Sequence, residues 1–509
     1  MTENIVELVI ENASRNPDKV ALKELDTEIT YKDFIESIKS TSIYLSNAGI
    51  TKGYRVLVFV PMSIELYKIL LALFYIGATA VFVDAWAEKG RLEQAVKIAD
   101  CNAFIGSNKA HILRLTSSEI RKIPVKLFAK TLFISKYEEM QECEIATGDN
   151  TALITFTTGS TGLPKGANRT HEFLLNQHLV LKQHLNHSEN EVDYSTLPIF
   201  VLNNLATGIT SIIPDFNPKR PSKISPEKII KNMIENKVSS TVGSPVFYDI
   251  LAEYCIKNNI IVKTLKKIFL GGAPVFAELA SKLIKAFPDT YVEIVYGSTE
   301  AEPISFISAN EMLTFKNSCI DEGLIVGRPI KDAIVKIIKI TDLPITAANE
   351  LEFNNLVLPV GETGEICVTG KHVLKEYYNN YEAQRQNKIY CDGYVWHRTG
   401  DAGYLDSDNN LFLMGRCKNK FSYKDRIYFV FPYEKALSGI SEIEIATLIE
   451  KDNRIILTIE AKSGKSQETI NKYIEKIKIP CDEIKYLNTI PRDSRHQSKI
   501  DYEKLKRLL

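Results

Sequence analysis

Hydroxyl side chains, glycines and one lysine are concentrated in T-F-T-T-G-S-T-G-L-P-K-G at residues 155–166, a segment that could bind phosphate. Glycine lets backbone N–H groups approach a phosphate closely, and lysine adds a positive charge for a polyphosphate. A P-loop would require glycine where Pro164 stands, and Ser or Thr after Lys165, where Gly166 stands. We therefore predict a phosphate-binding loop that is not a P-loop. A merely flexible turn is the simpler alternative.

Three other segments carry residues suited to a nucleotide. In Y-G-S-T-E at residues 296–300, Tyr296 offers a flat face for adenine, and Glu300 offers a carboxylate for the magnesium that accompanies ATP. The two glycines of L-G-G-A-P at residues 270–274 would let a base lie against the backbone. T-G-D at residues 399–401 ends in a carboxylate. Each segment alone could be an ordinary strand end or exposed turn, so the prediction rests on their occurring together.

In order and spacing, these segments resemble the motifs of the adenylate-forming enzymes: acyl-CoA synthetases, peptide-synthetase adenylation domains and luciferases. The resemblance implies that ATP and Mg²⁺ are the cofactors and that a small carboxylic acid is activated as an acyl-AMP. It implies catalytic roles for Lys165, Thr299 and Lys499, and magnesium binding by Glu300. The nucleotide-binding residues that it implies are Thr157, Thr158, Gly159, Ser160, Thr161, Gly162, Lys165, Gly272, Ala273, Pro274, Tyr296, Gly297, Ser298, Thr299, Asp401 and Arg416.

Adenylation explains why such residues are needed together. A carboxylate is a poor electrophile, and its attack on the α-phosphate brings several negative charges together. Positive charge from Lys499, Lys165 and magnesium would stabilise the charge spreading over the phosphates. The adenine and ribose contacts would position the reacting groups.

The composition excludes several other classes of protein. The 63 basic and 63 acidic residues give zero net charge, so no nucleic-acid-binding surface is indicated. The eight cysteines include no C-x-x-C pair, which argues against a zinc site or a disulfide framework and fits a cytoplasmic location. The longest apolar run, residues 69–83, is shorter than a bilayer span and contains Gly77. It predicts a buried helix followed by a buried strand, not a transmembrane segment.

The expected fold is α/β: a large N-terminal domain of sheets and helices in several subdomains, with a small α+β lid domain at the C-terminus. A chain of 509 residues is too long for one ordinary core. Strand-like runs alternate with amphipathic segments, as in doubly wound proteins, and become more frequent from Ile366 onward. We predict an AMP-binding domain over residues 1–415, a hinge over 416–419 and a lid over 420–509. The hinge follows from G-R at residues 415–416, where adenylate-forming enzymes carry theirs.

Within the family, several stretches resemble the bacterial β-lactone synthetases of olefin biosynthesis: residues 208–221, 243–245, 272–275, 297–303 and 495–499. Those enzymes adenylate a 2-alkyl-3-hydroxy fatty acid, whose own hydroxyl then closes a four-membered ring. This resemblance implies an aliphatic 3-hydroxy acid as substrate and makes coenzyme A a doubtful cofactor.

Departures from the CoA-ligase pattern support the same interpretation. CoA ligases carry a glycine shortly after the hinge, in a strand beside the thiol channel, and residues 419–425 contain none. Glu376 is a separate departure, from a motif of the whole family in which glycine usually precedes the tyrosine at position 377. Val201 stands where many CoA ligases have histidine, which predicts an apolar acyl pocket. An amino-acid substrate would need a buried aspartate, for which Asp249 is the nearest candidate.

Other functions stay open at this point. The protein could be a conventional acyl-CoA synthetase, or a ligase that loads an acyl carrier protein or works with other enzymes of a pathway. A nucleotide-binding pseudoenzyme is the non-enzymatic alternative. The intact Lys165, Glu300, Asp401, Arg416 and Lys499 argue against it.

Overall fold

A computed structural model describes residues 3–83, 89–133, 147–157, 164–216, 224–315, 322–462, 464, 466–492 and 500–509. Within these ranges the chain forms 17 α-helices and 25 β-strands. The helices are α1 (Ile5–Arg15), α2 (Tyr31–Asn47), α3 (Ile64–Tyr75), α4 (Lys89–Ala99), α5 (Leu113–Thr116), α6 (Ser118–Lys122), α7 (His171–Leu185), α8 (Pro198–Thr207), α9 (Pro226–Glu235), α10 (Pro245–Asn258), α11 (Ala277–Ala286), α12 (Ala309–Thr314), α13 (Glu350–Asn354), α14 (Tyr381–Asn387), α15 (Phe431–Ser438), α16 (Gln467–Ile477) and α17 (Tyr502–Leu508).

The strands alternate with these helices through most of the chain. They are β1 (Val20–Glu24), β2 (Thr27–Thr30), β3 (Arg55–Phe59), β4 (Thr79–Val83), β5 (Ala103–Gly106), β6 (Val125–Phe128), β7 (Thr151–Thr157), β8 (Lys165–Thr170), β9 (Val192–Ser195), β10 (Thr210–Ile213), β11 (Ser240–Gly243), β12 (Lys267–Gly271), β13 (Tyr291–Ser298), β14 (Ala301–Ser308), β15 (Leu324–Pro329), β16 (Ile334–Ile338), β17 (Gly364–Thr369), β18 (Lys388–Cys391), β19 (Tyr394–Leu405), β20 (Leu411–Arg416), β21 (Phe421–Tyr423), β22 (Arg426–Tyr428), β23 (Ile443–Lys451), β24 (Arg454–Ala461) and β25 (Glu483–Tyr486).

The two strands that flank the predicted phosphate-binding segment, β7 and β8, belong to a six-stranded sheet with the order β6-β5-β3-β4-β7-β8. The first five of these strands pair in parallel, and β7 and β8 pair antiparallel. Parallel pairing requires crossover segments, which here include α3 between β3 and β4. The apolar run at residues 69–83 therefore folds as predicted, into the end of a buried helix and then a buried strand.

A second sheet holds 14 strands in the described part of the chain, in the order β16-β17-β19-β20-β15-β14-β13-β12-β11-β9-β10-β1-β2, with β18 beside β19. Neighbours from β1 through β10, β9, β11 and β12 to β13 are parallel. Neighbours from β13 to β16 are antiparallel. The parallel half has the doubly wound character predicted from the sequence, and the antiparallel half contains the β-rich region.

The C-terminal part forms a separate unit. The hairpin β21–β22 and the three-stranded sheet β23-β24-β25 pack with α15 and α16 around their own apolar core, which includes Leu437, Leu457 and Ile470. The prediction of a large α/β N-terminal domain with a small C-terminal lid is confirmed. The boundaries at residues 415–416 and 419–420 stay a prediction.

Two segments expected at strand ends continue as strand. Tyr296 lies inside β13, which extends to Ser298 because it pairs with β14. Asp401 lies inside β19, directly opposite Arg416 of β20. T-G-D is therefore not an exposed turn.

Candidate active site

Lys165 begins strand β8, at the point where the hairpin with β7 meets the predicted phosphate loop. Its Nζ lies 3.2 Å from Oδ1 of Asn387 and 5.7 Å from the centroid of the Tyr377 ring. Burial lowers the pKa of Lys165, and the carboxylate of Glu300 opposes that shift. The structure thus places this lysine near the predicted metal ligand, as adenylation requires.

Glu300 is held by one hydrogen bond to its carboxylate from the described residues: the Tyr377 hydroxyl donates to Oε1 at 2.8 Å. Burial opposes its ionisation, but nearby positive charge, including that of Lys388, and this hydrogen bond hold the pKa of Glu300 down to about 2. An ionised carboxylate is a suitable ligand for a hard cation such as Mg²⁺. The described residues contain no cluster of three or more His, Cys, Asp or Glu side chains that could hold a metal alone. Glu300 therefore fits a site that the phosphates of ATP would complete.

The segment from Val373 to Tyr378 connects the phosphate hairpin to the predicted metal ligand. Val373 forms a β-bridge with Ala301, and the backbone N–H of Leu374 donates to the Glu300 carbonyl at 2.7 Å. Four residues later, the Tyr378 N–H donates to the Gly166 carbonyl at 2.7 Å. One short segment thus fixes the distance between the two sheets on which Lys165 and Glu300 lie.

Glu376, which stands where the family usually has glycine, has a structural role in this segment. The amide group of Asn168 donates a hydrogen bond to Glu376 Oε1, and Asn168 Oδ1 accepts one from Thr151 at 2.8 Å. A glycine could not form this contact. Glu376 therefore ties the connecting segment to both strands of the β7–β8 hairpin.

Three predicted nucleotide ligands meet on strands β13, β19 and β20. The Tyr296 hydroxyl donates to Oδ2 of Asp401 at 2.9 Å, and Nη1 of Arg416 lies 3.3 Å from Oδ1. Arg416 also donates to the Thr399 carbonyl at 3.0 Å. A carboxylate has about four lone-pair positions, so Asp401 can accept further hydrogen bonds from ribose hydroxyls. Tyr296 acts here as a hydrogen-bond donor as well as an aromatic face.

A buried ion pair holds the T-G-D segment in place. Arg398 and Glu365 are both buried, and Arg398 Nη2 lies 2.6 Å from Oε2 of Glu365. The other carboxylate oxygen accepts the Gly400 N–H at 3.3 Å, and Arg398 donates to the carbonyls of Thr341 and Leu343 at 2.6 and 2.9 Å. Every donor and acceptor named here has a partner, as a buried charge requires. This ion pair was not predicted from the sequence. The signal that could have indicated it is the presence of a charged residue in each of two mostly apolar strands.

The L-G-G-A-P segment follows strand β12. A side chain at Gly271 would lie 2.6 Å from the Val295 carbonyl, so only glycine fits against β13. Gly272 has φ of +83°, a conformation that favours glycine. Gly272, Ala273 and Pro274 line the same cleft as Tyr296.

Three of the remaining predicted residues line this cleft, a fourth ends strand β7, and the others fall outside the described residues. Gly297, Ser298 and Thr299 line it, and the Thr299 carbonyl accepts from Arg169 Nη2 at 3.2 Å. Thr157 ends strand β7. The residues outside the described part of the chain are Thr158, Gly159, Ser160, Thr161, Gly162 and Lys499.

The cleft has a volume of about 2720 Å³ and extends from the nucleotide residues to an apolar region. The apolar walls come from α7, α8, β11 and β12, and are formed by Leu181, Leu185, Phe200, Val242 and Phe269. Val201 differs from expectation, because it packs in the core, while its neighbours Phe200 and Leu202 line the cleft. Helical geometry turns adjacent residues to different faces. The predicted apolar pocket is present, but Val201 does not line it.

Asp249 is unsuited to bind a substrate amine. Its Oδ1 lies 2.5 Å from Nζ of Lys282, on helix α11. This neighbouring cation already neutralises the carboxylate. The aspartate nearest to the position that an amino-acid substrate would need is therefore already paired.

Comparison with known proteins agrees with this geometry. The AMP-binding enzyme family matches residues 9–378. The chain belongs to the AMP-binding enzyme family. It is an adenylate-forming acid ligase that uses ATP and Mg²⁺, as the sequence predicted.

Two curated relatives are similar over most of the chain. The olefin beta-lactone synthetase of Stenotrophomonas maltophilia is 28% identical over 99% of this chain and 97% of its own length. The enzyme of the same name from Xanthomonas campestris is 30% identical over 79% of this chain and 76% of its own length. Among solved structures, the O-succinylbenzoate coenzyme A synthetase of Bacillus subtilis, in complex with ATP and magnesium ion, has a TM-score of 0.81. It is 19% identical, and the match covers 98% of this chain and 99% of that chain.

A small carboxylic acid as the second substrate is in keeping with this family. Among the described residues, none of the helices combines the length and apolarity needed to cross a membrane. Sequence reasoning did not find Tyr377 as a partner of Glu300, or Asn387, Lys388 and His397 around it. Lys388 and His397 are direct cross-strand neighbours in β18 and β19, a pairing that no local spacing reveals.

Proposed function

We propose that this protein activates a long-chain aliphatic 3-hydroxy acid as its acyl adenylate and then closes it to a β-lactone. The observation that carries the proposal is that the predicted nucleotide residues and a cluster of aliphatic and aromatic side chains line one continuous cleft. An acid whose carboxylate reached the α-phosphate would lie with its alkyl chain against Leu181, Leu185 and Phe269. Burial of that chain would supply binding energy at about 25 cal/mol per Å² of apolar surface.

In the first step, a carboxylate oxygen attacks the α-phosphorus of ATP, and the bond from that phosphorus to the bridging oxygen of pyrophosphate breaks. Lys165 and Lys499 would face the developing charge on the phosphates. Glu300 would hold magnesium, which neutralises phosphate charge when bound. Asp401 and Arg416 would position the ribose.

In the second step, the hydroxyl oxygen on the third carbon of the substrate attacks the activated carbonyl. The acyl–oxygen bond to AMP breaks, AMP leaves, and the hydroxyl proton passes to solvent. No external nucleophile is needed, and the bound geometry removes much of the entropic cost of closing the strained ring.

Two features support ring closure over transfer to a thiol. The first is the similarity to enzymes that carry the name olefin beta-lactone synthetase. The second is the turn between β21 and β22, where Lys424 and Asp425 have φ of +48° and +63°. Glycine would adopt this conformation without strain, yet both positions carry side chains. We propose that the side chains of Lys424 and Asp425 take the space that a glycine leaves open beside the thiol channel of CoA ligases.

We also propose a cytoplasmic setting and no obligatory acyl carrier protein. The six described cysteines form no disulfide, which supports a reducing compartment. An acceptor hydroxyl within the substrate makes a carrier thiol unnecessary.

The test is mass spectrometry of products from a matched pair of acids, one 3-hydroxylated and one unsubstituted, at the same chain length. Each would be incubated with ATP and Mg²⁺, with and without coenzyme A. We expect pyrophosphate release with both acids, and a product lighter than the hydroxy acid by one water without coenzyme A. An acyl-CoA as the sole product would favour a conventional acyl-CoA synthetase. ATP–pyrophosphate exchange that stays absent across a panel of fatty acids would favour the pseudoenzyme.

A further inference from the structure

Tyr377 contacts three charged groups of the phosphate and metal end of the cleft. Its hydroxyl donates to Glu300 Oε1 at 2.8 Å. The ammonium groups of Lys165 and Lys388 lie 5.7 and 5.5 Å from the centroid of its ring, within the range of a cation–π interaction. Tyr377 is 5% exposed, so packing holds the ring in place.

Lys388 is unusual because it is 2% exposed and belongs to none of the predicted motifs. It donates to the carbonyl of Leu374, within the connecting segment. Burial lowers the pKa of Lys388 to about 7; the carboxylate of Glu300 opposes that shift, and the charge of Lys165 adds to it. A cation buried so deeply beside a carboxylate would be expected to form a direct ion pair with it.

That ion pair is not formed. In the described part of the chain, neither lysine ammonium lies within 4.0 Å of the Glu300 carboxylate. Instead, the Tyr377 hydroxyl donates a hydrogen bond to Glu300 Oε1. The ammonium groups of Lys165 and Lys388 both lie over the Tyr377 ring. Glu300 Oε2 has no hydrogen bond from the described residues and stays available to a metal.

We propose that Tyr377 is a positioning residue that keeps Glu300 available to Mg²⁺ by preventing a direct ion pair with Lys388. The hydroxyl satisfies one carboxylate oxygen with a neutral donor, which Mg²⁺ does not need to displace. Without it, the carboxylate is free to turn toward the Lys388 ammonium group, and the metal must then compete with an internal cation. This inference rests on the proposed role of Glu300 as the metal ligand.

The main variant is Tyr377→Phe, which keeps the ring and removes the hydroxyl. Tyr378→Phe is the matched control, because the Tyr378 side chain packs against the apolar cluster around Phe104 and Phe156. A double variant, Tyr377→Phe with Lys388→Met, removes the cation that is expected to capture Glu300. Thermal unfolding of each variant checks that it is folded.

Metal binding is measured directly by electron paramagnetic resonance of Mn²⁺ with the enzyme and a non-hydrolysable ATP analogue, and needs no acid substrate. Tyr377→Phe is expected to weaken Mn²⁺ binding about tenfold, the scale of one hydrogen bond to a charged group. Tyr378→Phe should bind as the wild type does, and the double variant should recover most of the loss. Unchanged binding in Tyr377→Phe, or a double variant no better than the single one, would overturn the inference.

Glu300→Gln separates this inference from the proposal on which it rests. If Glu300→Gln binds Mn²⁺ as the wild type does, Glu300 is not the ligand and both ideas fail. If Glu300→Gln weakens binding and Tyr377→Phe does not, only the positioning role of Tyr377 fails.

Discussion

Replacing Asp401 tests the assignment of the ribose site most directly. In the free protein its carboxylate already accepts from Tyr296 at 2.9 Å and lies 3.3 Å from Arg416. Two ribose hydroxyls would add two hydrogen bonds to a charged acceptor, each worth about 1.5–3 kcal/mol. Taking the lower value for both gives about 3 kcal/mol, or roughly a hundredfold in dissociation constant. Asp401→Ala should weaken nucleotide binding by that factor.

Asp401→Asn should have a smaller effect, since the amide keeps one acceptor oxygen but loses the charge. Asp401→Ala should also lower the thermal midpoint, because the Tyr296 hydroxyl loses its acceptor, at a cost of about 1–3 kcal/mol. The Arg416 contact adds little, since that side chain is 54% exposed. Asp408→Asn, at an exposed position on the turn after β19, is the control.

The assay is calorimetric titration with an acyl-sulfamoyl adenosine and with its 2′,3′-dideoxy counterpart. Wild-type protein should prefer the ribose form by roughly the factor that Asp401→Ala loses, and Asp401→Ala should barely distinguish the two. A preference for ribose that survives in Asp401→Ala would show that another group recognises the hydroxyls, and would refute this reasoning.

Three further outcomes are expected. Lys499→Ala should abolish acyl-AMP formation in a hydroxamate-trapping assay while ATP binding persists, because the lysine would act on charge that develops in the transition state; normal adenylation would remove Lys499 from that role. Glu300→Gln should raise the Mg²⁺ concentration needed for ATP–pyrophosphate exchange, through loss of one carboxylate ligand, and an unchanged titration would contradict it. Burial lowers the pKa of His171 to about 4, so the unfolded chain binds a proton that the fold excludes. The neutral imidazole therefore contributes to the free energy of unfolding at pH values above its usual pKa of about 6.5. About 3 kcal/mol of that contribution is lost as the pH falls to 4. The His171 ring packs against Phe74, so phenylalanine can replace it there. In His171→Phe, the free energy of unfolding should change less steeply with pH between 6.5 and 4. A slope equal to that of the wild type would contradict the lowered pKa of His171.

Local sequence patterns predicted individual helices and strands well where the whole pattern lay within one helix or strand. Helix α3 begins after Ser63, whose side chain accepts from the Leu66 N–H, and a strand follows Gly77 as expected. Apolar periodicity and capping residues suffice for such predictions.

The contacts that organise the site could not be predicted in this way. Tyr296 and Asp401 are 105 positions apart and meet only through the order of strands in the large sheet. Lys388 and Glu300 contact the same tyrosine, Tyr377, because β18 pairs with the long strand β19, beside the segment that bridges to Ala301. Neither Lys388 nor Tyr377, which contacts both, stands in a pattern that predicts a role at the site. Tertiary pairing, which no local spacing encodes, brings them together.

The two sheets divide the predicted site residues between them. The six-stranded sheet carries Lys165, while the large sheet carries Asp401 and, in the turn between β13 and β14, Glu300. The phosphates of a bound nucleotide would have to reach both sheets, so catalysis depends on the distance between them. That distance is fixed by the segment at residues 373–378, which bonds to Gly166 on one side and to Glu300 on the other. Glu376 strengthens this connection through Asn168, where the family usually has glycine. A residue that looked like a defect in a motif therefore contributes to the alignment of the two halves of the site.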